Sequence, residues 1–281
     1  MKGSFKMSSD LEKKMNKYEY VTRNYLTCRT PVIVRVDGRA FHTFTRGFVK
    51  PFDPILVKTM HETMQYLCEH IEGCVMGYTQ SDEITLVLCD YQTLTSQAWF
   101  DNNIQKICSI VASMATLMFN RYFERNVRAW TFEMEETLDK DSDEFTRFCE
   151  VSEKYSRSMM NGAIFDSRAF NIPKEEVNNC LLWRQQDAIR NSIEATGQAY
   201  FSHNELHKKS INVIKDMLKE KGVDWDAFPA ELRMGSCCVK KEQVYRRYNG
   251  EPFTRKKWCL DNYVPKFDKD TDYVNSRIML G

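Results

Sequence analysis

Carboxylates stand at the ends of predicted strands in two parts of this sequence. Asp37 directly follows the largely β-branched run 32–36, and Asp82 with Glu83 forms a polar turn between two strand-like runs. A charge in such a place is costly to bury unless it is paired or bound to a cation. We therefore predict that Asp37 and Asp82 meet in space and hold divalent metal for chemistry on a nucleoside triphosphate, with Glu83 as a third acidic group.

The ligand chemistry at these positions favours Mg²⁺. A few carboxylate oxygens fixed by a rigid sheet, completed by substrate phosphates, form the usual magnesium arrangement. Gly38 has no side chain, so its backbone can approach a ligand closely and its carbonyl can complete one coordination sphere. In a two-metal scheme, ions about 3.5–4 Å apart activate the attacking oxygen and stabilise the leaving group. Asp-Gly and Ser-Asp-Glu are also common in plain surface turns, so spacing alone leaves that alternative open.

The elements around these carboxylates follow the order strand, helix, hairpin, helix, strand. They are predicted as a strand at 31–37, a helix between the Asp53 cap and Gly73, a hairpin at 74–89, a helix at about 96–124 and a strand at 163–172. This βαββαβ order predicts an α+β, ferredoxin-like antiparallel sheet with helices on one face, the palm of polymerases and nucleotide cyclases. Such a sheet brings the end of the first strand beside the turn of the central hairpin.

The second half of the chain is predicted to be mainly helical. A helix starts at Pro173, a capping box at 202–205 starts another, and 235–264 is predicted to form strands or a hairpin. We therefore divide the chain into a palm-like catalytic domain at 1–172 and a helical and β region at 173–281, with one continuous domain as the alternative.

Composition limits the classes of protein to consider. The chain has 281 residues, a hydrophobic fraction of 42% and 28% charged residues, which is typical of a globular chain with a real core. The net charge of +1 means that any RNA-binding surface must be local. No apolar run reaches transmembrane length, and the N-terminus lacks the apolar core of a signal peptide. The ten cysteines include no Cys-x-x-Cys pair, which favours reduced thiols and a cytoplasmic protein.

Several motifs together resemble the tRNA(His) guanylyltransferase superfamily. They are Val-Arg-Val-Asp-Gly-Arg-Ala-Phe-His at 34–42, Phe-Val-Lys-Pro-Phe-Asp at 48–53, Gly-Tyr-Thr-Gln-Ser-Asp-Glu at 77–83, Ala-Ile-Phe-Asp-Ser-Arg at 163–168 and Trp-Arg-Gln-Gln-Asp-Ala-Ile-Arg-Asn-Ser at 183–192. The resemblance extends from about residue 18 to about residue 240. The segment 198–210 is more similar to the bacterial, archaeal and viral Thg1-like branch, the 3′-5′ polymerases, than to the eukaryotic branch.

The resemblance implies a nucleotidyltransferase that adds nucleotides to the 5′ end of tRNA. In that reaction ATP adenylylates a 5′-monophosphate end, and the 3′-hydroxyl of an incoming nucleotide attacks the activated phosphate. The expected ligands are two Mg²⁺ ions per site, ATP, and GTP or another nucleoside triphosphate, and the expected assembly is a homotetramer. Relative to the family, the acidic segment at about 133–160 looks like an insertion, and we expect a solvated, partly helical excursion there.

The same resemblance assigns individual residues to the nucleotide and its metal ions. Asp37, Asp82 and Glu83 are the expected catalytic residues, and Asp37, Gly38 and Asp82 the expected metal ligands. Loop amides after Asp37 can cradle the triphosphate. The expected nucleotide-binding residues are Asp37, Gly38, Arg39, Ala40, Phe41, His42, Lys50, Ser81, Asp82 and Lys106. The eukaryotic arginine three positions before Lys106 is Asn103 here, which puts one phosphate contact in doubt.

RNA contacts are expected in the second half of the chain. Basic residues interleave with aromatic residues at 240–258, a pattern suited to backbone binding and base stacking. The basic run at 208–221 is interpreted as a charged helix face. The expected RNA-binding residues are Arg190, Asn191, Lys240, Lys241, Arg255, Lys256 and Lys257. Of the eukaryotic His-Ile-Asn-Asn run at 189–192, only Asn191 is kept, which favours templated 5′-end repair over strict tRNA(His) specificity.

Two alternatives remain. Nucleotide and diguanylate cyclases share the two-carboxylate palm site, but the chain has no Gly-Gly-Asp-Glu-Phe signature. A non-catalytic RNA-binding protein on a palm scaffold is the other alternative, and the presence of Asp37, Asp82 and Glu83 argues against it.

Overall fold

The fold is built on one six-stranded antiparallel sheet. The structure is a computed structural model that describes residues 7–248 and 250–279. The strands are β1 Val32–Gly38, β2 Cys74–Gln80, β3 Glu83–Leu88, β4 Phe165–Asn171, β5 Ser236–Arg246 and β6 Pro252–Leu260. Their order across the sheet is β4-β1-β3-β2-β5-β6.

Helices cover both faces of this sheet. They are α1 Met7–Tyr20, α2 Phe41–Phe44, α3 Pro54–His70, α4 Ile104–Thr137, α5 Asp143–Asn161, α6 Lys174–Tyr200, α7 His203–Leu206, α8 Ile211–Glu220, α9 Ala230–Met234 and α10 Thr271–Ile278. None of the helices in the described ranges combines the length and apolar character that a membrane span requires.

Side chains along β1 alternate between the two faces of the sheet, which explains why a hydrophobic core lies on each face. Val34 and Val36 are fully buried in a core shared with α3 and α4, whereas Ile33 points to the opposite face and packs in a second core with α6 and α10. The α+β, palm-like class is therefore confirmed, and α3 and α4 form the single helical face that the βαββαβ order predicts. The second face is covered by helices from the C-terminal region.

The C-terminal region also extends the sheet. β5 pairs with β2 through residues 236–238, and β6 pairs with β5. Residues on either side of position 172 therefore share one sheet, while the division at that position stays a prediction.

The acidic segment is more ordered by packing than its composition indicates. α4 continues to Thr137, well past the expected end near residue 124, and α5 lies against it with Phe148 and Tyr155 buried. The Tyr155 hydroxyl donates to the buried Asp53 carboxylate at 2.7 Å. Asp53 also caps α3 by accepting from the Leu56 amide. One buried hydrogen bond thus ties α5 to the start of α3.

Replacing Tyr155 by phenylalanine is expected to lower the free energy of unfolding by about 1–2 kcal/mol. The substitution keeps the ring but removes a donor from a buried carboxylate that retains its other partners, the amides of Val49 and Leu56. Urea unfolding of both chains measures the difference. Tyr18→Phe, at an exposed position of α1, is the control and is expected to change stability by less than about 0.5 kcal/mol. Equal stability of the two variants would contradict a structural role for this bond.

Candidate active site

Asp37 and Asp82 lie at the same end of neighbouring strands. Asp37 is the direct antiparallel partner of Glu83, and the Gly38 amide donates to the Asp82 carbonyl oxygen at 3.1 Å. A two-residue turn joins β2 to β3, with Ser81 in the left-handed region at φ 50°. The Ser81 hydroxyl donates to Asp82 Oδ1 at 3.0 Å. Pairing of β1 with β3 and the tight turn together fix this arrangement.

Electrostatics at this point favour a cation. Burial raises the pKa of Asp82; the Ser81 hydrogen bond opposes that rise, and the negative charge of Asp37 adds to it. Among the residues that the structure describes, the cation nearest to Asp37 is Arg168, 3.9 Å away, and Arg168 lies closer to Asp166. The part of the chain that the structure describes holds no group of three or more His, Cys, Asp or Glu side chains placed to bind a metal. Two carboxylates and a backbone carbonyl nevertheless fit Mg²⁺, because Mg²⁺ commonly takes its remaining ligands from water and substrate phosphates.

Some backbone amides of the loop after Asp37 are already hydrogen-bonded within the protein. A Cβ on Gly38 would lie 2.2 Å from the Phe41 ring, so the close approach of chain to ring requires glycine. The amides of Gly38 and Arg39 already donate to Asp82 and Ile164 carbonyl oxygens. The amides available for phosphate are therefore those of residues 40–42, at the start of the one-turn helix α2, where helical amides have no intrahelical acceptor.

The two lysines expected at the triphosphate are exposed. Lys50 and Lys106 form no ion pair with any residue in the described ranges. Lys106 lies in the first turn of α4 with its Nζ 5.8 Å from the Phe100 ring centroid. Asn103, which replaces the eukaryotic arginine, accepts from the Lys106 amide at 3.0 Å and caps α4. This position therefore serves helix capping in the structure.

Glu83 is directed toward α6. Its Oε1 lies 2.7 Å from Arg184 Nε, and its Oε2 lies 3.8 Å from Arg35 Nε. Arg184 has no role in the sequence-based predictions, although it falls within the family-like segment 183–192. Its place within that motif is the signal that was available in the sequence; only the fold shows that Arg184 is buried and that its partner is Glu83. Arg184 NH2 also donates to Asp187 at 2.5 Å, and Asp187 in turn accepts from Arg190.

A cavity of about 140 Å³ opens beside the Ser81 turn, between α3, α6 and α9. Asn191 and the buried Gln80 line it, so the structure brings one of the expected RNA-binding residues close to the Ser81 turn. His61 lies in the same wall with its Nε2 2.9 Å from the Ser236 hydroxyl.

His61 is expected to make stability pH-dependent. Burial lowers its pKa, while the nearby carboxylates of Glu231 and Glu62 partly oppose that effect. Because the unfolded histidine takes up its proton near pH ~6.5, the unfolded state binds more protons than the folded state below that pH. The contribution of His61 to the free energy of unfolding is therefore complete above about pH 6.5 and is lost as the pH falls below that value.

Unfolding free energies at about pH 7.5 and about pH 5.5 test this expectation. The fall on acidification is expected to be smaller in His61→Gln than in the original chain. His207→Gln, at an exposed position, is the control and should keep the original pH dependence. If the free energy of unfolding fell equally in His61→Gln and in the original chain, the folded protein would accept the proton on His61 without cost.

The expected RNA-binding residues on β5 and β6 lie on a two-stranded arm. Among the described strands, β6 is the sole partner of β5 beyond residue 239. Lys241 is paired with Asp261 at 2.7 Å, and the Lys240 ammonium lies 5.1 Å from the Trp258 ring centroid. The side chains at 255–257 are exposed and form no ion pair within residues 7–248 and 250–279. The structure thus separates one cation engaged in an ion pair from three available ones.

Comparison with known proteins gives consistent matches. The family model described as tRNAHis guanylyltransferase matches residues 12–173. A bacterial tRNA(His) guanylyltransferase (Thg1)-like protein in complex with ATP is 36% identical, covers 96% of this chain and 100% of its own, and has a TM-score of 0.77. The corresponding bacterial structure with GTP is 35% identical over the same shares, with a TM-score of 0.72.

Curated relatives agree with the structural matches. The tRNA(His) guanylyltransferase of Debaryomyces hansenii is 31% identical over 82% of this chain and 83% of its own length. The probable tRNA(His) guanylyltransferase of Dictyostelium discoideum is 28% identical over 80% of this chain and 83% of its own. The chain belongs to the tRNAHis guanylyltransferase family of nucleotidyltransferases.

Proposed function

We propose that this protein is a metal-dependent 3′-5′ nucleotidyltransferase that adds nucleotides to the 5′ end of tRNA. The observation that carries the proposal is the placement of Asp37 and Asp82 beside one another at the mouth of the residue 38–42 loop. Family membership supports tRNA as the substrate, and the two bacterial neighbours, solved with ATP and with GTP, support nucleoside triphosphates as co-substrates.

Asp37, Asp82 and the Gly38 carbonyl would hold two Mg²⁺ ions, which when bound supply polarisation of phosphoryl oxygens and activation of the attacking hydroxyl. The protein's own contribution is positioning and charge. The amides of residues 40–42 orient the triphosphate, and Lys50 and Lys106 neutralise its charge. The Ser81 hydroxyl holds one Asp82 oxygen and so limits the orientations of that carboxylate.

These groups serve a transfer in two stages. First, the 5′-monophosphate of the RNA attacks ATP, and pyrophosphate leaves as the adenylylated end forms. Second, the 3′-hydroxyl of an incoming nucleotide attacks the 5′ phosphorus, and AMP leaves as the new phosphodiester bond forms. A 5′-triphosphate end can skip the first stage and release pyrophosphate directly. Neither stage requires a nucleophilic side chain.

RNA would lie across α6 and the β5–β6 arm, contacting Arg190, Asn191, Lys240 and Lys241 as well as the three cations at 255–257. The replacement of the eukaryotic His-Ile-Asn-Asn run supports templated repair of 5′-truncated tRNAs in addition to, or in place of, G addition to tRNA(His). We also propose a cytoplasmic homotetramer, on the basis of the family resemblance. Because the chain belongs to the tRNAHis guanylyltransferase family, we do not propose the alternative of a nucleotide cyclase.

Two RNAs test the proposal. One is full-length tRNA(His) with a 5′-monophosphate, and the other is a tRNA that lacks its first nucleotide; each is labelled and incubated with Mg²⁺, ATP and single nucleotides. Templated repair predicts extension of the truncated tRNA only by the nucleotide complementary to the opposite base. Extension of tRNA(His) alone, by G alone, would identify the histidine-identity reaction. Tight RNA binding without extension of either RNA would refute the proposed activity and favour a binding protein.

A further inference from the structure

The Glu83 side chain does not share the environment of its neighbour Asp82. Glu83 is buried and is held between two guanidinium groups, with Arg184 Nε at 2.7 Å from one oxygen and Arg35 Nε at 3.8 Å from the other. Both carboxylate oxygens therefore face protein cations. Turning either oxygen toward a metal would take a negative charge away from a guanidinium that is largely buried, and Arg184 would then keep only Asp187 as a carboxylate partner, which is unfavourable.

Arg184 is itself fixed by α6. Its NH2 donates to Asp187 at 2.5 Å, one turn further along the helix, and its guanidinium lies 4.2 Å from the Trp183 ring centroid. Trp183 also lies under Arg35, whose guanidinium is 5.4 Å from the same ring centroid. The Arg184 side chain is only 7% exposed, so these contacts leave it little freedom to follow a moving carboxylate. Arg184 is thus a fixed point against which Glu83 is placed.

The position of Glu83 sets the position of Asp82. Ser81 and Asp82 form the whole turn between Gln80 and Glu83, which pair directly across β2 and β3. Glu83 is also the direct partner of Asp37 across β1 and β3. A displacement of Glu83 therefore changes the separation of the two carboxylates that face the nucleotide. In phosphoryl transfer such geometry matters, since a shift of about 1 Å can cost about 10²-fold in rate.

We infer that Glu83 and Arg184 form a positioning pair, which holds the Asp82 turn at a fixed distance from Asp37 and does not bind metal. The inference rests on the proposed function for its catalytic consequence, because the turn it positions is the proposed metal site. It assigns Arg184 a role in this reaction and changes the role of Glu83 from a reacting carboxylate to a support for one.

A double-mutant cycle tests the pair. Glu83→Gln and Arg184→Gln are each expected to lower kcat of nucleotide addition by about 10²-fold and to change KM for the nucleotide by less than about 3-fold. The double variant is expected to match either single variant, since both substitutions remove one interaction. Arg184→Lys, which keeps a positive charge near Glu83, is expected to recover part of the lost kcat. The double variant also leaves Asp187 paired with Arg190, which guards against loss of folding.

Mn²⁺ binding to the nucleotide-free protein, measured by electron paramagnetic resonance, gives a readout independent of activity. Glu83→Gln and Arg184→Gln are expected to change Mn²⁺ affinity by the same factor, whereas Asp82→Asn should lose most of the binding. Loss of Mn²⁺ binding in Glu83→Gln but not in Arg184→Gln would overturn the inference, because it would make Glu83 a ligand. The inference would also be overturned if the loss of kcat in the double variant equalled the product of the losses in the two single variants. Absence of nucleotide addition by the original chain would instead refute the proposed function, while the Mn²⁺ cycle would still decide the pairing.

Discussion

Replacing Asp37 or Asp82 by asparagine is expected to abolish nucleotide addition, with kcat falling by at least about 10³-fold. Metal-held phosphoryl groups gain several kcal/mol of transition-state stabilisation, and each 1.4 kcal/mol corresponds to about 10-fold in rate. Asparagine keeps the size and one oxygen of each side chain but removes the negative charge that attracts a divalent ion. Single-turnover extension of a truncated, labelled tRNA measures the chemical step directly.

The fold is expected to survive these substitutions. Asp82 is partly buried beside Asp37, and removing one of two adjacent negative charges relieves repulsion, so thermal melting temperatures should be equal to or above that of the original chain. Asp166→Asn is a matched control, because Asp166 is the direct partner of Asp37 on β4 and is already in contact with Arg168. We expect it to keep activity within about 3-fold. Full activity of the Asp37 and Asp82 variants would refute the metal hypothesis.

The parts of this site that could be predicted from sequence are set by local patterns. The β-branched run of β1 and the polar turn of the central hairpin specify strand, strand end and turn from neighbouring residues alone. The βαββαβ order then places the two strand ends together, because few sheet topologies accommodate that order. The confirmed palm-like fold follows from the same two kinds of information.

The environment of Glu83 could not be predicted in the same way. Its partner Arg184 lies on a helix in the second half of the chain, and contact requires α6 to pack on the sheet face that the first half leaves open. Nothing in the periodicity of α6 distinguishes a buried arginine from an exposed one, since a charged residue on a helix is usually solvated. The pair becomes visible only when the second layer of helices is known.

The length of α4 illustrates a different limit. Its buried face continues as far as Val127. Beyond that residue the sequence becomes acidic, and its composition predicts a solvated segment although the helix continues. The apolar residues that support this extension, Phe148 and Tyr155, come from α5. Because helical stability in proteins comes mostly from tertiary packing, the end of such a helix depends on a partner that local patterns do not reveal.

Neutralising the three available cations of the β5–β6 arm is expected to weaken RNA binding by about 10–100-fold at about 0.1 M salt. Each phosphate contact contributes through release of counterions, so the triple variant R255Q/K256Q/K257Q should also reduce the slope of log K against log salt concentration by about 2–3. KM for the nucleotide should stay within about 3-fold, because the arm begins where β5 leaves β2, away from the Asp82 turn. Filter binding of a 5′-truncated tRNA over a salt series measures both quantities.

The matched control also removes three positive charges, but from the basic run at 208–221. The sequence pattern predicts that the 208–221 run is a solvated helix face, but only Lys219 lies on α8, whereas Lys208 and Lys209 lie between α7 and α8. All three are exposed, and their replacement by glutamine should leave the salt slope unchanged. A single K241Q change should cost less than any one of the three arm substitutions, because Asp261 already neutralises that ammonium at 2.7 Å. Equal losses from the arm triple and the control triple would mean that the protein attracts RNA through its overall charge. A loss confined to the arm would place the backbone contact on the two strands beyond residue 239, where three cations form no ion pair with any described residue of the chain.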